Sequence, residues 1–369
     1  MTHSTEHGVV TPEVIVVAGA RPNFMKVAPL CRAFAADGRM RVRLVHTGQH
    51  YDPVLSDQIM RDLELPPPDD HLEVGSAAPS LQTAKILEAM DRMLVERPPL
   101  AVLVVGDVTS TVAAGLAAAN RSVPLIHVEA GLRSRDWTMP EERNRVVVDR
   151  LSQLLFVTEP SGVDNLRDEG VAAGVHLVGN TMIDSLLQIL PRARESGIRE
   201  RLGLADQRYS VMTLHRPGNV DQSAAFAKMI EALAPLAEEA PLVFPVHPRT
   251  KAQVEALHVP EGLRCIAPLG YTEFIGLVEQ ASLTLTDSGG LQEETTVLGV
   301  PCLTLRPNTE RPITVEIGSN ELVYNDAEKI RTLGMKALRG EWKPHRVPEL
   351  WDGQAASRIV SVIGESLLR

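Results

Sequence analysis

Residues 101–132 read AVLVVGDVTSTVAAGLAAANRSVPLIHVEAGL. An apolar, β-branched run (Ala101–Val105) ends in Gly-Asp, a helical stretch follows, and a second apolar run (Leu125–Val128) ends in Glu-Ala-Gly. Apolar strands that alternate with helices belong to a parallel sheet covered on both faces. The same alternation extends outward in both directions. In the first half it predicts further strands at Val14–Ala18, Val42–His46, Leu154–Val157 and His176–Val178. In the second half it predicts Ser210–Leu214, Leu242–Val246, Leu263–Ile266, Leu283–Thr286, Pro301–Leu305 and Glu321–Val323. Six strands thus fall on each side of Gly179-Asn180, with no sequence repeat but one shared layout. The expected class is α/β, with two doubly wound, Rossmann-like domains facing a cleft. The proline-rich stretches Leu65–Asp70 and Arg97–Pro99 read as surface loops.

Bulk properties fit this layout and narrow the partners. A chain of 369 residues is too long for one ordinary core. Its formal net charge of -10 argues against nucleic acid as the main partner, because phosphate backbones call for clustered Lys and Arg. Cys31, Cys265 and Cys302 are few and odd in number, so they read as core thiols of a reduced compartment. Met1–Pro12 is polar and lacks an apolar signal core, and no stretch has the roughly 20 apolar residues of a membrane span. The expectation is a cytoplasmic protein with no membrane partner.

In open α/β sheets, ligands bind beyond the carboxyl ends of the strands. Those ends are here rich in polar groups: Arg21 after the first strand, Asp107, Glu129, His215, His247, and the run Asp287-Ser288-Gly289-Gly290. Strand, Ser-Gly-Gly, then helix places free N–H groups at the positive end of a helix dipole, a site for phosphate. The competing reading is an ordinary tight turn. Glu293 and Glu294 follow in the first helical turn, where one could reach ribose hydroxyls, and Arg311 offers an anion clamp. Arg21 and Lys26 stand on the first wall of the cleft. Asp107 and Glu129 end buried strands, where desolvation suits a carboxyl to acid/base work, although capping of the next turn would explain them as well. Glu141, in Met139-Pro140-Glu141-Glu142, reads alone as a residue that complements a helix dipole. His215 and His247 read alone as satisfied loop histidines. No Cys/His cluster suggests zinc, and neither a GxGxxG nor a GxSxG signature is present.

At these positions the sequence strongly resembles the non-hydrolysing UDP-N-acetylglucosamine 2-epimerases. The ordered motifs are GARPNFMKVAPL (19–30), TGQHYD (47–52), VGDVTSTVAAGLAA (105–118), HVEAGLRS (127–134) and MPEERNR (139–145). They continue with VGNTMIDSL (178–186), TLHRPGN (213–219), PVHPR (245–249), TDSGGLQEE (286–294) and TERP (309–312).

The resemblance implies a glycosyltransferase-B-like fold: a first domain over 1–179, a UDP-binding domain over 180–355, and a last helix (356–369) crossing back to the first. It implies a reaction without cofactor or metal. A base removes the C2 proton while UDP leaves anti from C1; the resulting 2-acetamidoglucal is reprotonated from the other face and UDP adds back. Asp107, Glu129 and Glu141 become the acid/base set, which changes the reading of Glu141, and His215 contacts the diphosphate. Ser288, Gly289 and Gly290 would bind phosphate and Glu294 the ribose, with Arg21, Lys26 and Arg311 completing the contacts. Many bacterial relatives carry an allosteric UDP-N-acetylglucosamine, whose contacts match Gln49, His50, Arg216 and His247. A homodimer serving polysaccharide biosynthesis is the family expectation. Alternative activities are 2-epimerisation of a UDP-diacetamido-uronate, because relatives with a similar GQxYD stretch use such sugars, and hydrolysis to UDP and N-acetylmannosamine.

Overall fold

The computed structural model describes residues 11–49, 53–221, 223–257 and 259–368. The strands of the first half are β1 (Glu13–Ala18), β2 (Arg41–His46), β3 (Asp70–His71), β4 (Ala101–Val105), β5 (Leu125–Ala130), β6 (Leu154–Val157) and β7 (Val175–Leu177). They form one sheet in the order β3-β2-β1-β4-β5-β6-β7, and every pairing is parallel. The second half supplies β8 (Ser210–Thr213), β9 (Leu242–Pro245), β10 (Leu263–Ile266), β11 (Leu283–Thr286), β12 (Cys302–Thr304) and β13 (Asn320–Leu322). Their order, β10-β9-β8-β11-β12-β13, repeats the first sheet's pattern with one strand fewer.

Alternation along the strands explains why the central runs, such as β1 and β4, are buried throughout. Val14 and Val16 of β1 face one core cluster, with the helix Arg21–Asp37, while Ile15 and Val17 face another, with Ile86 and Met90 of the helix Pro79–Glu96. Burying both faces favours valine, isoleucine and leucine at every position. The last helix, Ala355–Leu367, places Ile359, Val360 and Ile363 in the core cluster that holds Val14 and Val16 and packs against Arg21–Asp37. Asp184 accepts the N–H groups of Ala355 and Ala356 at 3.1 and 2.7 Å, capping that helix from another element.

Each sheet has its topological switch where the order reverses, between β1 and β4 in the first and between β8 and β11 in the second. A crevice opens there beyond the strand ends. The extra strand β3 begins at Asp70, the last residue of the stretch expected to be loop, and was not expected. Its hold on β2 is partly made by side chains: Asp70 binds Arg43 at 2.6 and 3.0 Å, and Asp69 accepts the Leu44 N–H at 2.8 Å. No helix among the described residues is long and apolar enough to cross a membrane.

Candidate active site

A cavity of about 480 Å³ opens between the two sheets. Asp107, Glu129, Glu141 and Lys26 line it from the first half; His215, Arg216, Ser288, Gly289, Gly290, Glu294 and Arg311 line it from the second. The cavity thus brings together every predicted catalytic residue and most of the predicted binding residues. Arg21 opens the helix Arg21–Asp37, and its side chain lies outside the described ones.

The four predicted allosteric positions are less uniform. Arg216 shares the cavity, and the ring of the exposed His247 lies 6.2 Å from that of His215. Gln49 is buried and does not line the cavity; its side-chain amide donates to Gln82 Oε1 at 3.1 Å and its backbone carbonyl accepts from the Gln82 side-chain amide at 3.2 Å. His50 lies outside the described residues.

Glu129 owes its position to a β-bulge. The pairing of β5 with β6 slips between Val128 and Ala130, and Glu129 takes φ +73°, a left-handed value uncommon for a residue with a side chain. Backbone strain of this kind persists where the surroundings enforce it. The Glu129 carboxylate pairs with Lys26 Nζ through one oxygen, and the other accepts from Arg311 Nη2 at 2.7 Å. Arg311 also binds Glu293 (2.8 Å) and Glu310 (2.5 Å), and Glu310 binds Arg306 at 2.7 Å. One guanidinium from the second half therefore reaches a carboxylate of the first.

Asp107 follows β4 at Gly106, whose φ is +65°. The positive φ favours glycine at 106, and a Cβ there would sit 2.9 Å from Lys26 Nζ and displace the end of that side chain. Arg145 Nη2 pairs with Asp107, while Nη1 binds Glu142 at 2.5 Å. Burial pushes the Asp107 carboxyl upward, but Arg145 and Lys26 outweigh it and hold the group below its ordinary value. Arg145, nearly buried, was missed in the sequence because a helical arginine four residues after Glu141 looks solvated. Glu142 is missed likewise; it accepts the N–H groups of Ser134 and Arg135 at 2.9 and 2.8 Å and fixes the loop before Glu141.

On the opposite wall the helix Gly289–Leu298 begins at Ser288. Ser288 Oγ accepts the Leu291 N–H at 3.5 Å, and the other N–H groups of the first turn have no backbone partner within the helix, an arrangement that suits an anion. A Cβ at Gly289 would meet Arg311 Nη1 at 2.8 Å. Asp287 is fully buried and takes the N–H groups of His215 (3.1 Å) and Arg216 (2.9 Å), the Asn219 amide (3.0 Å) and His215 Nδ1 (2.9 Å). With Nδ1 engaged, Nε2 is the imidazole nitrogen left for a ligand. Glu294 accepts the Tyr271 hydroxyl at 2.6 Å, and burial pushes its carboxyl up to about 8. Leu269 and Phe274 give the cavity an apolar side beside Tyr271. By contrast, the first βα loop is not an open anion cradle, because Asn23 Oδ1 already accepts the N–H groups of Gly19 and Ala20.

A family model described as UDP-N-acetylglucosamine 2-epimerase matches residues 32–364. The chain belongs to this family. A UDP-N-acetylglucosamine 2-epimerase of Methanococcus maripaludis is 35% identical over 363 residues, 94% of this chain and 97% of the relative. A UDP-2,3-diacetamido-2,3-dideoxy-D-glucuronate 2-epimerase of Pseudomonas aeruginosa is 36% identical over 362 residues, 96% and 99% of the two. The crystal structure of Methanocaldococcus jannaschii UDP-GlcNAc 2-epimerase in complex with UDP-GlcNAc and UDP superposes with a TM-score of 0.86 at 35% identity, over 96% of this chain and 100% of that one. The family's glycosyltransferase-B-like fold agrees with the two facing parallel sheets, and the protein is an enzyme of the 2-epimerase class.

Proposed function

We infer that the protein interconverts UDP-N-acetylglucosamine and UDP-N-acetylmannosamine by elimination and re-addition of UDP across C1 and C2. The observation that carries this reading is one cavity lined by three carboxyls on one wall and a free helix N-terminus on the other. Inversion at C2 requires proton carriers on two faces of the sugar, and departure of UDP requires fixed positive charge. Asp107, held ionised beside Arg145 and Lys26, suits the base in one direction, with Glu129 and Glu141 serving the other face. The Ser288-Gly289-Gly290 turn, His215 and the Arg311 charge hold the diphosphate. Glu294 meets the ribose, and Tyr271 and Phe274 flank the base.

In this reading the chain divides at 179/180, and residues 356–369 belong with the first domain. The reading also carries a cytoplasmic homodimer that feeds polysaccharide synthesis. Exposed Leu81 and Val95 on the helix Pro79–Glu96 and Val147 on the helix Pro140–Leu151 support the dimer.

Proton NMR of UDP-N-acetylglucosamine with the enzyme in D2O tests the activity. Solvent deuterium at C2 and a stable mixture of two UDP-sugars are expected; accumulation of UDP and free N-acetylmannosamine would replace this reading with hydrolysis. A second reading, a UDP-diacetamido-uronate as substrate, draws on the similarity to the Pseudomonas aeruginosa enzyme and on Arg216, a cavity cation available to a sugar carboxylate. It predicts exchange with the uronate alone.

A further inference from the structure

His127 and Asp149 lie behind the cavity, and neither lines it. Both are buried to within 1% of their surface. His127 Nδ1 is 2.7 Å from Asp149 Oδ1, and Nε2 is 2.8 Å from the carbonyl oxygen of Gly106. A carbonyl oxygen only accepts, so Nε2 carries a hydrogen. Asp149 also faces the Gly131 N–H (3.2 Å) and Arg133 Nη1 (2.8 Å), two donors that favour the carboxylate; burial works upward on its pKa, and His127 and Arg133 bring it below the ordinary value. Facing a carboxylate, Nδ1 also donates. Arg133 is itself tied to Glu169 at 2.7 Å through two nitrogens.

The tethered backbone points are informative. Gly106 immediately precedes Asp107, and Gly131 lies two residues beyond Glu129. His127 belongs to β5, whose bulge aims Glu129. We propose that His127 is a positioning residue, doubly protonated and locked on Asp149, whose buried ion pair sets the spacing between the carboxyls of Asp107 and Glu129. The role rests on the 2-epimerase reading, in which those two carboxyls must bracket C2 of one bound sugar. Misplacing a proton carrier by about 1 Å costs roughly 100-fold in rate.

Two substitutions separate the tethers. His127→Asn keeps a donor toward Asp149 and drops the one to Gly106; His127→Gln keeps a donor that reaches Gly106. In D2O exchange assays His127→Asn is expected to lose roughly 100-fold in kcat with KM within about threefold, and His127→Gln to recover part of that loss. A His127→Asn enzyme with kcat within threefold of wild type would overturn the proposal. So would a parallel rise in KM, or no recovery in His127→Gln. Nitrogen-15 NMR of histidine-labelled, ligand-free wild type gives a readout independent of turnover and of either variant's folding, with Asp149→Asn identifying the perturbed ring. Two protonated ring nitrogens are expected, and one unprotonated nitrogen would overturn the assignment. Absence of C2 exchange in wild type, with the NMR signature intact, would instead count against the 2-epimerase reading.

Discussion

Asp107 shows how a single residue acquires its chemistry from its neighbours. Its side chain is mostly buried, which by itself favours the protonated acid. The guanidinium of Arg145 and the ammonium of Lys26 reverse that preference. In Arg145→Met the strongest opposing charge is gone and burial counts for more, so the Asp107 pKa rises. A base must be ionised to act, so activity falls as pH drops through this pKa. The acid limb of the kcat/KM profile, below the ordinary carboxylate range in wild type, is therefore expected to move to higher pH in Arg145→Met. Deuterium exchange at C2 measured from below the ordinary carboxylate range up to neutral pH reads the shift directly, and an unmoved limb would mean that another group titrates there.

The turn from β11 into the helix Gly289–Leu298 works as a unit: Asp287 holds the His215 loop, Ser288 caps, and Gly289 leaves room for Arg311. A side chain at 289 would collide with the arginine and cover the free N–H groups. Gly289→Val is expected to weaken UDP by at least about tenfold in calorimetry, a loss near 1.4 kcal/mol, while circular dichroism stays unchanged. Elements of this kind were legible in the sequence because the central strands, such as β1, β4 and β11, are buried on both faces and several strands end in a recognisable polar turn. Among the described residues, twelve of the thirteen strands were read in this way, with no end displaced by more than two residues. β3 was not, because two residues, Asp70 and His71, have no periodicity and follow three prolines. The bulge at Glu129 was also illegible, since nothing in His-Val-Glu-Ala-Gly states that the glutamate takes a positive φ. Arg145, Glu142 and Glu310 escaped notice for a related reason. Each is an ordinary surface residue type whose partner comes from the folded structure, as Arg145 finds Asp107 38 residues away.

At the scale of the molecule, the last described helix returns to the first sheet. The last helix completes the core behind β1, and its N-terminus is capped by Asp184 from a helix near the middle of the chain. Ile359 is fully buried there and does not line the cavity, so truncating it acts on stability rather than on the site. Ile359→Ala is expected to cost about 2–4 kcal/mol in urea unfolding. That is a large part of the roughly 5–15 kcal/mol that holds a folded protein together. UDP should offset much of the loss. A ligand bound only by the folded protein stabilises it by about 2.7 kcal/mol at a hundred times its Kd. If the variant's cavity is intact, its UDP Kd equals that of wild type, and its thermal midpoint rises with UDP by an increment similar to the wild-type increment. A weakened Kd in Ile359→Ala would show instead that the last helix sets the geometry of the cleft as well as the stability of the first sheet.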